Sequence, residues 1–249
     1  MNKNAFDEMK NTQDSHWWFR GKRAILEKLL NSLCLSLNAQ ILEIGCGTGG
    51  NLALLSKFGN ITALEIDNEA RKYAAELAGI PVLNGWLPDG LFNISGKKFD
   101  LICMFDVLEH IESDSESLKT LREYLVPDPA NKGKLFITVP AYQWMYSQHD
   151  KELSHFRRYS KNELTDKLTV AGYKICSIGY MNTLLFPLML LSRLMGKFCS
   201  HKDTGTKTPP AVINTLMFRI FSTEKNWAPK VKMPFGGTVY AICEVKTYE

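Results

Sequence analysis

The chain has 249 residues, of which 45% are hydrophobic and 22% are charged, and its formal net charge at pH 7 is +4. These values are ordinary for a globular protein and exclude an extended disordered chain. The small positive excess is not clustered, so no nucleic-acid partner is expected. Six cysteines without a C-x-x-C pair and an N-terminus without an apolar leader predict a reduced, cytoplasmic protein.

Strand-like and helix-like segments alternate along the chain, which predicts an α/β fold with a doubly wound, mostly parallel sheet. The N-terminal segment, about 1–37, is expected to form a lid helix. Seven strands follow in the order AQILEIG, NITALEID, IPVLNG, KKFDLICMFD, GKLFITVP, YKICSIGY and GGTVYAICEVK. Helical patterns follow the first, second, fourth and fifth strands, and the last of these, SKNELTDKLTVAG, begins with the capping-box pair Ser160 and Glu163.

The last two strands are separated by a segment, about 183–233, that is too long for a plain connection. We expect it to be a helical cap inserted into a single domain that covers 1–249. Its apolar start, 183–198, is interrupted by Pro187 and Arg193 and is shorter than the about 20 apolar residues that span a bilayer. Peripheral membrane contact through 183–198 is the alternative to a buried helix.

A glycine-rich segment, LEIGCGTGGN, ends the first strand. Gly45, Gly47 and Gly50 satisfy the G-x-G-x-x-G pattern of a dinucleotide loop, whereas Glu43 with Gly45, Gly47 and Gly49 satisfies E-x-G-x-G-x-G. Both patterns bring the backbone close to a ligand at a helix N-terminus. Because Glu43 would repel a pyrophosphate but suits a positive group, the sequence favours S-adenosylmethionine, a sulfonium without phosphate.

A carboxylate at the end of the second strand is the group that a ribose requires for its paired hydroxyls. Glu65 lies twenty residues after Gly45 and is assigned this role. Asp67 is either a second ligand contact or a helix cap.

The segments ILEIGCGTG, ALEID, FDLICMFDVLEHI and GKLFITVPA, in that order and spacing, resemble class I S-adenosylmethionine-dependent methyltransferases of the ubiquinone-biosynthesis or type 11-like kind. The resemblance covers 16–180 and the final strand, and it implies a Rossmann-like, seven-stranded sheet whose last strand is antiparallel. It implies S-adenosyl-L-methionine as cofactor, surrounded by Glu43, Gly45, Cys46, Gly47, Gly49, Glu65, Ile66, Gly85, Trp86, Phe105 and Asp106. The adenine acid of many relatives is missing, so Trp86 is expected to stack or Asp89 to substitute.

A closer resemblance is to bacterial methyltransferases that share HWWF, S-x-H-D-x-x-x-x-H-x-R-R-Y and L-L-F-P-L-x-L-L-x-R. That group suggests polyisoprenoid, lipid or glycan intermediates as acceptors. The expected activity is therefore O-methylation of a small-molecule or lipid-linked substrate.

The loop YSQHDKELSHFRRY carries polar groups that core packing does not require, and it follows the fifth strand at the ligand-binding edge of the sheet. His149, oriented by Asp150, is the favoured base for an acceptor hydroxyl, and His110 is the reserve. The side chains expected to bind the acceptor are His155, Arg157, Arg158, Tyr159 and Trp18. The structural alternative is a loop pinned by ion pairs between its own acids and arginines, with aromatics that only pack.

No metal is expected, because the histidines lack H-E-x-x-H spacing and the cysteines are scattered. Two other functions stay open. An NAD-dependent oxidoreductase or epimerase would use the same glycines, but no tyrosine is followed by lysine four residues later. The second alternative is a non-catalytic protein of this fold that binds a nucleoside or a protein partner.

Overall fold

A computed structural model of the chain describes residues 3–128, 132–196, 208–228 and 230–246. The helices are α1 (Lys3–Thr12), α2 (Trp17–Asn31), α3 (Leu52–Leu55), α4 (Asn68–Ala78), α5 (Asp114–Arg122), α6 (Gln148–Glu152), α7 (Lys161–Val170), α8 (Phe186–Gly196) and α9 (Ala211–Thr223). The strands are β1 (Gln40–Ile44), β2 (Asn60–Glu65), β3 (Val82–Asn84), β4 (Leu101–Phe105), β5 (Lys134–Pro140), β6 (Tyr173–Met181) and β7 (Thr238–Val245).

The seven strands form one sheet in the order β3-β2-β1-β4-β5-β7-β6. The pairs from β3 to β5 are all parallel, whereas β7 is antiparallel to both β5 and β6. The predicted fold class, including the antiparallel last strand, is confirmed. β4 is buried at every position, which explains why its sequence is continuously apolar rather than alternating.

Apolar side chains cover both faces of the sheet. On one face, Leu118 of α5 and Leu164 of α7 pack with Leu42 and Ile102. On the other face, α2 and α9 pack against β1, β4, β5 and β7. The strand order changes direction between β1 and β4, so the loops that follow these two strands flank the crevice where open α/β sheets bind ligands.

The N-terminal segment consists of two helices rather than one. A bend between α1 and α2 carries Gln13, whose buried side-chain oxygen accepts a hydrogen bond from Thr48 Oγ1 at 2.6 Å. Met9 of α1 lies against Gly47. α1 and the bend after it therefore lie against the glycine-rich loop, and a role as a lid stays a prediction.

The segment between β6 and β7 contributes α8 and α9. Asn214 of α9 accepts a hydrogen bond from Trp17 N at 2.8 Å, and Phe221 stacks on Trp18 with 5.3 Å between ring centroids. α9 is thus packed against α2, whereas α8 begins beside the end of β5, where Phe186 contacts Tyr142 at 5.5 Å. The side chain of Arg193 and residues 197–207 lie outside the described part of the chain. No helix among the described residues is long and apolar enough to cross a membrane.

Candidate active site

The glycine-rich loop turns sharply at the end of β1. Gly45, Gly47 and Gly49 all have positive φ angles, of 66°, 55° and 79°. At Gly45 a side chain would also collide with Val107, since a Cβ would lie 2.8 Å from its methyl group. The loop can therefore follow this path only with glycine at that position.

Glu65 connects the end of β2 to the loop. Its Oε2 accepts a hydrogen bond from Gly47 N at 2.8 Å, and its Oε1 accepts one from Asp67 N at 2.9 Å. The neighbouring Ile66 is 62% exposed and offers an apolar surface beside this carboxylate. Asp67 is the N-cap of α4, accepting hydrogen bonds from Glu69 N and Ala70 N, so the structure shows the helix-cap alternative.

Glu43 lies beneath the loop and is 1% exposed. Its Oε1 accepts a hydrogen bond from Asn51 Nδ2 at 3.3 Å, and its Oε2 has no hydrogen-bond partner among the described residues. Burial raises the pKa of Glu43 to about 8, and the nearby charge of Glu65 adds to this effect. The carboxyl is therefore mostly protonated at neutral pH, and its contact with a positive group of the donor stays a prediction.

Asp106, directly after β4, has a φ angle of 57° and contacts two elements. Its carboxylate accepts hydrogen bonds from Thr138 Oγ1 at 3.0 Å and from Lys22 Nζ of α2. Lys22 was missed by the sequence analysis, although it lies on the same helical face as Ile25 and Leu29, where a lysine is unusual.

Trp86 follows β3 and stands beside the expected adenine position. Its backbone pairs with Gly90, its ring covers Gly90, and Phe92 meets the ring edge to face at 6.4 Å. The ring is 40% exposed and so retains a free surface for stacking. Gly85, next to it, packs against Leu64.

Two further residues assigned to the donor are buried. Cys46 packs with Leu52 and Ala74 beneath the loop. The ring of Phe105 meets Phe136 edge to face at 5.1 Å. The structure shows packing contacts for both side chains, and their direct contact with the donor stays a prediction.

A cluster of Glu109, His110 and His155 forms beyond the end of β4, with ligand atoms that all lie within 4.8 Å of one another. Phe156 N donates a hydrogen bond to Glu109 O, which holds the loop after β5 against the turn after β4. The two imidazole rings meet at 4.6 Å. Burial, together with a smaller effect of the neighbouring His155, lowers the pKa of His110 to about 4, so this ring is neutral at pH 7.

Glu109 is completely buried, and neither carboxylate oxygen has a hydrogen-bond partner in the described part of the chain. Burial, together with the charge of Asp106, raises the pKa of Glu109 well above its usual range. The cluster, two histidines and a carboxyl, could hold a divalent ion. It was missed because His155 is distant in sequence from the other two, so the expectation of no metal is not confirmed.

Asp150 is buried beside this cluster. Its Oδ1 lies 3.0 Å from His155 Nδ1 and accepts a hydrogen bond from Arg158 Nε at 2.7 Å, while its Oδ2 accepts one from Ser147 N at 2.9 Å. Asp150, which the sequence analysis paired with His149, therefore also contacts His155. His149 itself lies on α6 and is partly buried.

The other side chains expected at the acceptor have interior contacts. Arg157 pairs with Asp114 at 2.8 Å, and the buried Tyr159 hydroxyl donates a hydrogen bond to the same carboxylate at 2.9 Å. Arg158 pairs with Asp150, and Trp18 packs on α9. The pair of Arg158 and Asp150 is the kind of contact that the structural alternative expects, whereas Asp114 belongs to α5 and lies outside the loop. Acceptor binding by these side chains stays a prediction.

An aromatic cluster at the end of β5 was not foreseen. It comprises Tyr142, Trp144, Tyr180, Phe186 and Phe235. Tyr142 stacks on Tyr180 at 5.4 Å and lies at similar distances from Trp144 and Phe186. Trp144 is 59% exposed and Phe235 is 41% exposed. The cluster therefore presents an apolar surface one strand away from Asp106.

The family model described as "Methyltransferase domain" matches residues 16–178. The chain belongs to the class I S-adenosylmethionine-dependent methyltransferases. This family assignment favours the methyltransferase interpretation over the NAD-dependent one.

Two relatives and one solved structure illustrate the similarity. The chain is 29% identical over 141 residues to the mitochondrial ubiquinone biosynthesis O-methyltransferase of Schizosaccharomyces pombe, and the match covers 49% of this chain and 50% of that protein. The chain thus spans about half the length of that curated relative. It is 31% identical over 149 residues to an uncharacterized methyltransferase of Staphylococcus carnosus, covering 59% of this chain and 68% of that protein. The plantazolicin methyltransferase BpumL, solved with a monoazolic desmethylPZN analog and SAH, shares the fold with a TM-score of 0.59 at 15% identity, covering 98% of this chain and 90% of that one.

Proposed function

We propose that this protein transfers the methyl group of S-adenosylmethionine to a hydroxyl oxygen of a small or lipid-linked acceptor. The observation that carries the donor assignment is the pair of buried carboxylates, Glu43 and Glu65, on either side of the glycine-rich loop. Glu65 would accept hydrogen bonds from the ribose hydroxyls, and Glu43 would stabilise the donor's ammonium group. The SAH-bound structural neighbour supports this choice of donor.

Calorimetric titration with S-adenosylhomocysteine and with NAD tests the donor. We expect the wild type to bind S-adenosylhomocysteine and not NAD. Glu65→Ala should weaken binding by about 1–3 kcal/mol, because the ribose hydroxyls lose their acceptor and the loop loses its contact at Gly47 N. Glu76→Ala, an exposed acid on α4, is the matched control and should bind normally. Unchanged affinity in Glu65→Ala would show that the ribose lies elsewhere.

Donor affinity should depend on pH through Glu43. The pKa of Glu43 is raised to about 8 in the empty site, so a bound ammonium must displace its proton. Affinity for S-adenosylhomocysteine should therefore rise by up to about ten-fold per pH unit between about pH 6 and pH 8 and then level off. The raised pKa also affects the stability of the empty protein, because the buried carboxyl is favourable only while it is protonated. The free energy of unfolding should therefore fall as pH rises toward about 8.

Calorimetry at several pH values, in buffers of different ionisation enthalpy, would measure both the affinity and the proton released. Glu43→Gln is expected to bind with little pH dependence over the same range. An identical slope in the wild type and in this variant would contradict the role given to Glu43.

The proton of the acceptor hydroxyl would be taken by His155. The sulfonium is a strong methyl donor, so the protein mainly aligns the acceptor and accepts its proton. Asp150 contacts His155 Nδ1, which favours the tautomer with a basic Nε2. His110, neutral and adjacent, is the second candidate, and His149 is the third.

A divalent ion is an alternative means of activating the same hydroxyl. Glu109, His110 and His155 would hold it, and its charge would lower the pKa of a bound hydroxyl. Asp150, behind His155, has the position of an outer-shell carboxylate that orients a histidine ligand. Loss of methyl transfer after dialysis against a chelator, with recovery on addition of zinc or magnesium, would favour this mechanism over the histidine base alone.

The acceptor is proposed to be apolar over part of its length. The aromatic cluster adjoins α8, where Leu188 and Leu191 are each 52% exposed. Lys230 and Lys232, exposed beyond α9, would give the mouth of this surface a positive charge. An apolar surface with a basic rim suits a lipid-linked anionic acceptor, either free or presented at a membrane.

A further inference from the structure

Asn182 carries a buried amide directly after the end of β6. The residue is 1% exposed, and neither its Oδ1 nor its Nδ2 has a hydrogen-bond partner among the described residues. Its φ angle of 60° needs no special explanation, since asparagine tolerates the left-handed region. The amide does need one, because burial of a polar group without a partner destabilises a fold.

The backbone at Asn182 is held by contacts that do not involve this amide. Asn182 N and Leu184 N donate hydrogen bonds to the two carboxylate oxygens of Glu224, at 2.7 and 2.8 Å. Asn182 O accepts a hydrogen bond from Gly237 N at 3.3 Å. The residue is therefore fixed in place by β7 and by the turn after α9, and the polar atoms of its side chain make none of these bonds.

The space beside the amide is bounded by the start of β7 and by α8. A Cβ at Gly237 would lie 3.2 Å from Asn182 Nδ2 and 2.6 Å from Met189 Cε. The amide therefore lies close to α8, and glycine at this position keeps a further side chain out of the space between them.

The aromatic cluster adjoins the same turn. Tyr180 precedes Asn182 by two residues, and Phe186 follows it by four. Thr183 Oγ1 donates a hydrogen bond to Phe235 O at 2.5 Å, so the end of β6 also positions a third ring of the cluster. The rings of Phe186 and Phe235 are 5.8 Å apart between centroids. An apolar surface thus leads to a buried polar group, the combination that ligand pockets typically offer.

The end of β6 lies at the same edge of the sheet as the ends of β1 and β4, because these strands run parallel. Glu43 on β1 and Glu109 after β4 also have buried oxygens without a partner among the described residues. β6 is three strands away from β4, which is about 14 Å at the usual strand spacing. Asn182 is therefore too distant to contact the reacting methyl group and lies where a remote part of the acceptor would reach.

We infer that the Asn182 amide binds a neutral hydrogen-bonding group of the acceptor, a carboxamide or a hydroxyl, while the adjoining aromatic cluster holds an apolar part. An amide offers both a donor and an acceptor, which match a ligand group that also offers both. An anion is disfavoured there, because it would lie close to the carboxylate of Glu224. The inference rests on the proposed function and adds to its acceptor a second polar group, remote from the hydroxyl that is methylated.

An ordered water that satisfies the amide is the competing explanation, and a chemical double-mutant cycle separates the two. Ligand-observed NMR would measure the dissociation constants of octanamide and of nonan-2-one, in which a methyl group replaces the amide NH2 group. The proteins are the wild type, Asn182→Gly, which keeps the left-handed backbone, and Asn226→Gly, an exposed control after α9. The preference for octanamide over nonan-2-one should fall by about five-fold in Asn182→Gly, the effect of one hydrogen bond, and stay unchanged in Asn226→Gly.

An unchanged preference in Asn182→Gly would overturn the inference, and a lower melting temperature of that variant would then assign the amide to an internal water. Failure of both probes to bind the wild type would overturn it as well. If Asn182→Gly does not fold, the labelled methyl signal of Met189 in the wild type decides, because octanamide should shift it and a constant signal would exclude binding beside the amide. Titration with S-adenosylhomocysteine is independent of these probes, so its failure would contradict the proposed function alone.

Discussion

Replacement of His155 by alanine is expected to lower methyl transfer by about 10²–10⁴-fold, the range that a positioned general base contributes. Donor affinity should not change, because His155 contacts Asp150 and His110 rather than the glycine-rich loop. The assay follows an isotopically labelled methyl group from S-adenosylmethionine into an extract, and mass spectrometry of the product identifies the acceptor. Calorimetry with S-adenosylhomocysteine checks the donor site of the same variant.

His149→Ala is the matched comparison, since His149 lies in the same loop six residues earlier. If His149→Ala abolishes transfer while His155→Ala remains active, His149 is the base, and the role assigned to His155 is wrong.

The Asp150→Asn variant should also have a lower rate of methyl transfer. Its melting temperature should be lower than that of the wild type, because Arg158 loses its buried partner.

Leu188→Asp combined with Leu191→Asp is expected to abolish methylation of a long-chain acceptor and to leave a short, soluble acceptor nearly unaffected. Both leucines are half-exposed on α8, beside the aromatic cluster, so the substitutions add charge to the surface proposed for the chain. Parallel assays with the two acceptors measure the difference directly. An unaltered melting temperature would show that the fold is intact.

Val212→Asp tests whether the effect belongs to α8. Val212 is 81% exposed on α9, which packs against α2 rather than beside the aromatic cluster. If the leucine variant keeps its fold but loses methylation of both acceptors equally, α8 has a structural role and does not bind the acceptor chain. If Val212→Asp also loses long-chain activity, co-sedimentation with phosphatidylglycerol vesicles would examine a wider lipid-facing surface.

Features set by neighbouring residues were predicted from the sequence. The first strand was found because its short apolar run, AQILEIG, ends in glycine. The capping box was found because Ser160 and Glu163 are three residues apart, and the structure shows both hydrogen bonds. Glu43 and Glu65 were placed at the loop because their spacing from Gly45 fixes their positions at strand ends.

Contacts between distant segments were not predictable in this way. His155 meets His110 only because a backbone hydrogen bond joins the loop after β5 to the turn after β4. Asp150 was paired with its neighbour in sequence, whereas burial brings His155 and Arg158 to the same carboxylate. Lys22 gave one local signal, a lysine on an apolar helix face, but its partner after β4 is set by tertiary packing.

The position of β7 constrains the order in which the protein can fold. β7 lies between β5 and β6, although it follows both in the chain. During synthesis, β6 therefore has no neighbouring strand until the whole of α8 and α9 has been made and β7 has left the ribosome. Pairing of β6 with β7 closes a long loop, and contacts between residues so distant in sequence slow folding. Substitutions in the α8–α9 segment can thus reduce the yield of folded protein without any change in the active site.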